Sequence, residues 1–284
     1  MGNLYGVIGD PIAHSLSPLM HNDAFRSLQL DHVYYPFHVT PSHLTDAVKG
    51  MKALGINGFN VTIPHKVTIL PLLDKIDPLA KAIGAVNTVV REKNELVGYN
   101  SDGLGFIRAL KEEWKTDLEN EKVLIIGAGG AAKAIFYSLV YDGVRTIDIC
   151  NRTPERATQL VQSCPFPSRT NVLLMEEAEE KLGEYTLLIQ TTSIGMSPNI
   201  TVSPISIHNI KPGTHVVVDI IYNPFETMIL KEAKLKGATT SNGLGMFIYQ
   251  GAIAFEKWTS QTPNINRMKK IVTNHLGGNI HVNR

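Results

Sequence analysis

Few stretches narrow the choice of fold as much as Val123-Leu124-Ile125-Ile126-Gly127-Ala128-Gly129-Gly130-Ala131-Ala132-Lys133, where an apolar run meets a glycine turn and then an alanine-rich segment. The run reads as a buried strand and the alanines as the opening of a helix. A turn this tight requires glycine, and backbone approaches an anion closely only where side chains are missing. Free amides at the helix start then face that anion, with the positive end of the helix dipole behind them. This is the dinucleotide fingerprint with Ala132 at its third glycine position. Gly127, Ala128, Gly129, Gly130 and Ala131 are therefore expected to hold a pyrophosphate.

The strand expected next, Thr146–Cys150, decides between cofactors. An acidic residue at its end would bond a ribose 2′-hydroxyl and repel a 2′-phosphate. Here the strand runs into Cys150-Asn151-Arg152-Thr153. Arg152 suits a phosphate, with Asn151 and Thr153 donating beside it, so NADP is expected over NAD. Asp148 is the counter-candidate, although it lies inside the strand, and Arg152 has the alternative of being a solvated loop arginine.

Around the glycine turn the pattern predicts a doubly wound unit. Gly130–Tyr141 reads as helix, Thr153-Pro154 as the cap and first residue of another, and Thr186–Gln190 and Val216–Ile220 as further strands. Apolar residues on successive positions, as in Leu187-Leu188-Ile189 and Val216-Val217-Val218, suit strands covered on both faces. Upstream, Leu4–Ile8, Val33–Val39 and Gly58–Ile63 read as strands alternating with helices near Ser17–Leu28 and Ser42–Leu54. Thr88–Arg91 and Leu96–Tyr99 read as a hairpin, Asp102 to about Lys115 as a helix, and Thr116–Lys122 as a charged connector. Thr239–Gly245 reads as a turn and Met246–Thr259 as a helix that returns to the first unit. The fold class is therefore α/β: an N-terminal α/β domain plus a doubly wound Rossmann domain.

Composition narrows the partners. With 284 residues and 43% hydrophobic content the chain has material for two cores, and 27 basic against 26 acidic residues leave a net charge of +1. No global field favours nucleic acid or an anionic membrane, so an anionic ligand must be met locally. No apolar run approaches the roughly 18 to 20 residues of a membrane span. Cys150 and Cys164 form no CxxC pair, which fits a reduced, cytoplasmic setting. His14, His21 and His65 show no metal-ligand spacing with cysteines or acids, so no metal is expected.

The N-terminal half concentrates polar residues in its loops. Gly9-Asp10-Pro11-Ile12-Ala13-His14-Ser15-Leu16-Ser17-Pro18 puts two hydroxyls after a strand and at a helix start, suited to a small carboxylate. Asn60-Val61-Thr62-Ile63-Pro64-His65-Lys66 leaves a strand and sets Lys66 in the first turn of a helix. The helix dipole disfavours an ammonium there, which suits a lysine that hands on a proton.

The segments GDPIAHSLSP, NVTIPHK, GAVNTV, GYNSDG, GAGGAAKA, NRT, YNP and NGLGMFIYQGA follow one another in this order. Together they resemble the shikimate dehydrogenase family over nearly the whole chain, from Gly6 to about Trp258. The resemblance implies NADPH-dependent, reversible reduction of 3-dehydroshikimate to shikimate on the route to chorismate and the aromatic amino acids. It implies a substrate-binding domain of residues 1–103 with 243–284, an NADP-binding domain of 104–242, and a monomer or homodimer. Carried over by position, it gives the substrate carboxylate to Ser15 and Ser17 with Tyr222 nearby, and the ring hydroxyls to Thr62, Asn87, Asp102 and Gln250. Lys66 becomes the acid/base residue with Asp102 as partner, while Ile220 and Gly243 flank the nicotinamide. Plainer roles compete at several of these positions: caps for Ser17 and Asp102, hairpin backbone bonding for Asn87, one polar helix position for Gln250. The competing functions are a quinate/shikimate dehydrogenase with relaxed cofactor use and a ligand-sensing homologue without turnover; loss of Lys66 or Asp102 would mark the latter, and both are present.

Overall fold

Valine, isoleucine and leucine on consecutive positions can be buried only if both faces of a strand are covered, and each sheet answers that requirement with helices on its faces. The computed structural model describes residues 2–115 and 117–280; Thr116, at the start of the charged connector, lies outside the described residues. The chain divides into two compact units, Met1–Ser101 with Ile248–Arg284, and Asp102–Phe247.

In the first unit the order is β1 (Leu4–Gly9), α1 (Ser17–Ser27), β2 (Val33–His38), α2 (Leu44–Ala53), β3 (Gly58–Val61), α3 (His65–Thr68), β4 (Lys75–Ile76), α4 (Pro78–Ile83), β5 (Thr88–Glu92) and β6 (Glu95–Tyr99). These strands form one sheet in the order β2-β1-β3-β5-β6-β4. β1 pairs parallel with β2 and β3, whereas the β5–β6 hairpin turns antiparallel against β3. The core gathers Ile8, Val48, Phe59, Val61, Ile69, Val89 and Leu96. The expected helix from Ser42 is instead a 3-10 turn, Pro41–His43, followed by α2, and the expected strand from Gly58 stops at Val61.

The second unit runs α5 (Asp102–Trp114), β7 (Lys122–Ile126), α6 (Gly130–Tyr141), β8 (Thr146–Cys150), α7 (Pro154–Gln162), β9 (Val172–Leu173), α8 (Met175–Lys181), β10 (Leu187–Gln190), β11 (Val216–Asp219), α9 (Met228–Leu235) and β12 (Thr239–Ser241). All six strands are parallel, in the order β12-β11-β10-β7-β8-β9. This is the doubly wound arrangement, with its switch point beside β7. Leu124, Ile126, Leu188, Val217 and Leu230 pack in its core. The Thr239–Gly245 segment is not simply a turn: Thr239–Ser241 pairs with β11 as the edge strand, which has a hydrogen-bonded neighbour on one side only. Thr153 occupies the position before α7 with Pro154 at its start, yet its side chain makes no capping bond.

α10 (Leu244–Thr259) leads out of the second unit, and α11 (Ile265–Ile280) follows. Within the first unit Trp258 donates its indole N–H to the Val89 carbonyl at 3.0 Å and stacks on Tyr5 at 5.1 Å. Arg267 grips Asp23 with two bonds, Nε to Oδ2 at 2.6 Å and one terminal nitrogen to Oδ1 at 2.9 Å. No helix among the described residues is long and apolar enough to cross a membrane.

Candidate active site

In the first unit the topology brings the loops after β1 and β3, and the start of β5, to one end of the sheet. Parallel pairing of β1 with β3 sets their C-terminal ends side by side, where Asp10 N–H donates to the Ile63 carbonyl at 3.0 Å. Because β5 is antiparallel, its beginning lies there too: Thr88 stands opposite Asn60, and Val61 N–H donates to the Asn87 carbonyl at 2.9 Å. Ser15, Ser17, Thr62, Lys66 and Asn87 thus share one end of one sheet, and Gln250 lies half-buried on α10.

Each of these residues is held by its surroundings. Ser17 does not cap α1; it is the first helical residue, and its N–H donates to Ser15 Oγ at 3.3 Å. Lys66 is half-buried, and its carbonyl accepts the Val86 N–H at 2.8 Å. α3 is a single turn of four residues, so the macrodipole acting on Lys66 is weaker than a full helix would supply. His65 beside it is fully buried, with its Nε2 2.6 Å from the Val39 carbonyl, which anchors the turn to the end of β2.

A buried polar cluster that the sequence reading did not single out supports Asn87. Tyr34 donates its hydroxyl to Asn60 Oδ1 at 2.7 Å, and Asn60 Nδ2 donates to the Asn87 carbonyl at 3.0 Å and to Thr88 Oγ1 at 3.1 Å. Asn87 Oδ1 accepts the Ser101 N–H at 2.7 Å, and its Nδ2 donates to Ser101 Oγ at 3.0 Å. Asn87 therefore does more than satisfy hairpin backbone: it fixes Ser101, the residue directly before Asp102. The available signal was Asn60 itself, a polar residue in the otherwise apolar strand Gly58-Phe59-Asn60-Val61.

In the second unit the cofactor-motif residues follow the C-terminal ends of parallel strands, the position at which doubly wound sheets bind ligands. Gly127–Ala131 follow β7, Asn151–Thr153 follow β8, Ile220 follows β11 and Gly243 follows β12. Gly127 has φ +113°, and a Cβ there would meet Thr191 Oγ1 at 2.6 Å and Thr192 Cγ2 at 2.8 Å. Those two threonines back the turn from the end of β10 and were not singled out from the sequence. Gly129 and Gly130 are exposed, and a Cβ on either would point into open space. No side chain caps α6. An open, side-chain-free surface at a helix start fits a pyrophosphate.

The cofactor question turns on Asp148. Its Oδ1 accepts from Asn171 N–H at 3.0 Å and Asn171 Nδ2 at 2.9 Å, and its Oδ2 accepts the Tyr185 hydroxyl at 2.7 Å. The carboxylate is buried and occupied inside the sheet. Arg152 is exposed on the loop beyond, where Asn151 Nδ2 donates to the Thr153 carbonyl at 2.8 Å. These residues fit a 2′-phosphate and leave no acidic side chain at the strand end.

Asp102 opens α5 and is half-buried. Tyr222 lies tilted against Phe247 with ring centres 5.4 Å apart, and burial raises its phenol pKa. Gly243 N–H donates to the Ile221 carbonyl at 3.0 Å, and a side chain at 243 would collide with the Ile220 carbonyl oxygen, so this glycine also serves close packing. Among the described residues no group of three histidine, cysteine or acidic side chains is arranged to hold a metal ion.

Comparison with known proteins agrees along the chain. Residues 7–89 match the shikimate dehydrogenase substrate-binding domain, 109–224 the shikimate/quinate 5-dehydrogenase model and 243–273 the shikimate 5′-dehydrogenase C-terminal domain. The shikimate dehydrogenase (NADP(+)) of Bacillus cereus is 54% identical over 98% of this chain and all of its own length. Among solved structures, the shikimate 5-dehydrogenase of Listeria monocytogenes with shikimate and NAD is 38% identical, with TM-score 0.91, covering 95% of this chain and 96% of its own. That of Thermus thermophilus with NADP(H) and shikimate is 34% identical, with TM-score 0.85, covering 96% and 99%. Identity of this extent over both units means that the chain belongs to the shikimate dehydrogenase family.

Proposed function

We propose that this oxidoreductase reduces 3-dehydroshikimate to shikimate with NADPH, reversibly, with Lys66 as acid/base residue and Asp102 as its partner. The observation that carries the reading is the gathering of Ser15, Ser17, Thr62, Lys66 and Asn87 at one end of the first sheet. Ser15 and Ser17, with Tyr222, bind the carboxylate. Thr62, Asn87, Asp102 and Gln250 bind the ring hydroxyls and orient the ketone. Gly127–Ala131 hold the pyrophosphate, Asn151, Arg152 and Thr153 the 2′-phosphate, and Ile220 and Gly243 flank the nicotinamide.

The chemistry supplied by the bound cofactor is hydride transfer to the ketone carbon. As negative charge grows on the ketone oxygen, the Lys66 ammonium stabilises it by hydrogen bonding and then gives it a proton. In the oxidative direction Lys66 takes that proton back. Asp102 keeps the ammonium oriented and offsets its charge. The exposed Arg152, on a loop without an acidic neighbour at the strand end, favours NADP over NAD. Residues 1–103 with 243–284 form the substrate-binding domain and 104–242 the NADP-binding domain of a cytoplasmic monomer or homodimer.

The test is absorbance of reduced nicotinamide with shikimate or quinate, each paired with NADP⁺ or NAD⁺. Turnover is expected to be fastest with shikimate and NADP⁺. Silence in all four pairings would overturn the enzyme reading in favour of a sensor, and preference for quinate would reassign the substrate.

A further inference from the structure

Thr227 stands just before α9, where a threonine hydroxyl ordinarily accepts a helix amide. Here it makes no such bond and instead donates to Asp219 Oδ2 at 2.6 Å. The other carboxylate oxygen, Oδ1, accepts the Ile221 N–H at 2.9 Å. Asp219 ends β11 with no exposed surface, and among the described residues no cationic group contributes to its ionisation. Burial, the largest influence, pushes its carboxyl up to about 6 against the lowering effect of those two bonds. A carboxylate kept dry without a counter-ion is a cost to the fold.

What the cost secures is a loop. Asp219 and Thr227 tie together the two ends of residues 220–226, and further bonds hold the loop from other sides. Ile220 N–H donates to the Gln190 carbonyl at 3.1 Å, the Ile221 carbonyl accepts from Gly243 at 3.0 Å, and the Phe225 carbonyl accepts from Asn242 Nδ2 at 2.8 Å. Ile220 and Tyr222, assigned above to the nicotinamide and the substrate carboxylate, lie in this loop.

We propose that Asp219 and Thr227 are positioning residues whose hydrogen-bonded clamp fixes loop 220–226 so that Tyr222 is presented to the substrate, an inference that rests on the assignment of Tyr222 above. The clamp touches neither ligand. Its effect should appear in substrate binding and turnover while the phosphate-binding surface after β7 and β8 keeps its affinity.

The experiment uses the full-length protein and the variants Thr227→Val, Thr227→Ser, Asp219→Asn and Tyr222→Phe. It reads kcat and KM for shikimate with NADP⁺, the Kd of adenosine 2′-phosphate by calorimetry, and Tm. T227V keeps the shape of the side chain and removes the donor, so it remains informative if D219N fails to fold. T227V is expected to raise KM for shikimate about tenfold, the worth of one hydrogen bond to a charged group. It should leave the Kd of adenosine 2′-phosphate unchanged, and T227S should recover most of the loss. In the Y222F background the T227V effect on KM should largely vanish, because the presented hydroxyl is already gone. An unchanged KM in T227V, equal weakening of adenosine 2′-phosphate, or additive effects of T227V and Y222F would each overturn the clamp. If Y222F alone leaves KM unchanged, the assignment of Tyr222 fails and the clamp proposal falls with it; a raised KM in Y222F beside an unaffected T227V sinks the clamp alone.

Discussion

At the end of the first sheet the residues assigned to binding are side chains, and other side chains fix them: Tyr34 holds Asn60, Asn60 holds Thr88 and the Asn87 backbone, and Asn87 holds Ser101. At the ends of β7 and β8 in the second sheet the surface assigned to the cofactor phosphates is mostly backbone, open to solvent at Gly129 and Gly130, with Arg152 on an exposed loop. One region is a buried polar network in which every member must be satisfied. The other needs only a turn shape and the absence of side chains. Substitutions in the first region should therefore disturb fold and chemistry together, whereas in the second the two should separate.

The largest effect expected is at Lys66. Replacement by Ala should lower kcat by about 10³ or more, with a smaller change in KM, as loss of a proton-transfer group does. A kcat near that of the parent protein would remove Lys66 from the chemistry. The backbone cradle offers the sharpest separation. Gly129 has φ −87° and open space around the missing Cβ, so Gly129→Ala should lower Tm only by the modest difference between glycine and alanine at a helix N-cap. If this turn holds the pyrophosphate as proposed, the added methyl group would crowd the phosphate, and the Kd for NADPH should rise roughly tenfold or more. Equal affinity in G129A would break the contrast between the two regions. Gly127→Ala should instead lower Tm, because φ +113° and the facing threonines oppose any side chain. Arg152→Ala should raise KM for NADPH by roughly ten- to a hundredfold and leave KM for NADH nearly unchanged. A matching loss for both would argue against a 2′-phosphate contact.

A smaller effect sets one buried group in each unit against the other. His21 is enclosed by Tyr34, Phe25, Phe255 and Trp258, and burial pushes its imidazole down to about 3 from 6.5. Between those values the unfolded chain binds a proton that the folded chain does not, so stability falls as pH drops, by roughly 2 kcal/mol from pH 6.5 to about 5. Asp219 has the opposite sign. Its folded carboxyl titrates at about 6 against 3.8 for the free group, so the folded chain binds the extra proton and stability rises as pH falls through that window. Relative to the parent, His21→Leu should flatten the acid loss of Tm, and Asp219→Asn should steepen it. Parallel profiles for both variants would refute the opposition.

How much of this was legible in the sequence depends on what holds each part. β7, β8, β10 and β11 lie inside a parallel sheet, so their apolar runs marked them almost to the residue. β12 is an edge strand, Thr239-Thr240-Ser241, and carries no apolar run to announce it. α8 is rich in glutamate and buries only Ala178, too little to set a helical period. α11 went unread although Met268 and Val272 are buried, since two apolar residues set only a weak period and its ion pair from Arg267 to Asp23 joins residues far apart in the chain. At the site, motif residues could be named from local pattern. The occupation of Asp148 by Asn171 and Tyr185 could not, because three separate segments meet there.

The division of the chain also has a temporal consequence. Asp102–Phe247 is continuous, while the first unit is split between Met1–Ser101 and a segment beginning at Ile248. During synthesis the second unit has all its own strands before α10 is complete, but Tyr5, His21, Phe25 and Tyr34 have no Phe255 or Trp258 to lie against until α10 has been made. The unit whose strands precede the second unit is thus completed after it, and until then its aromatic rings lack the partners that α10 brings.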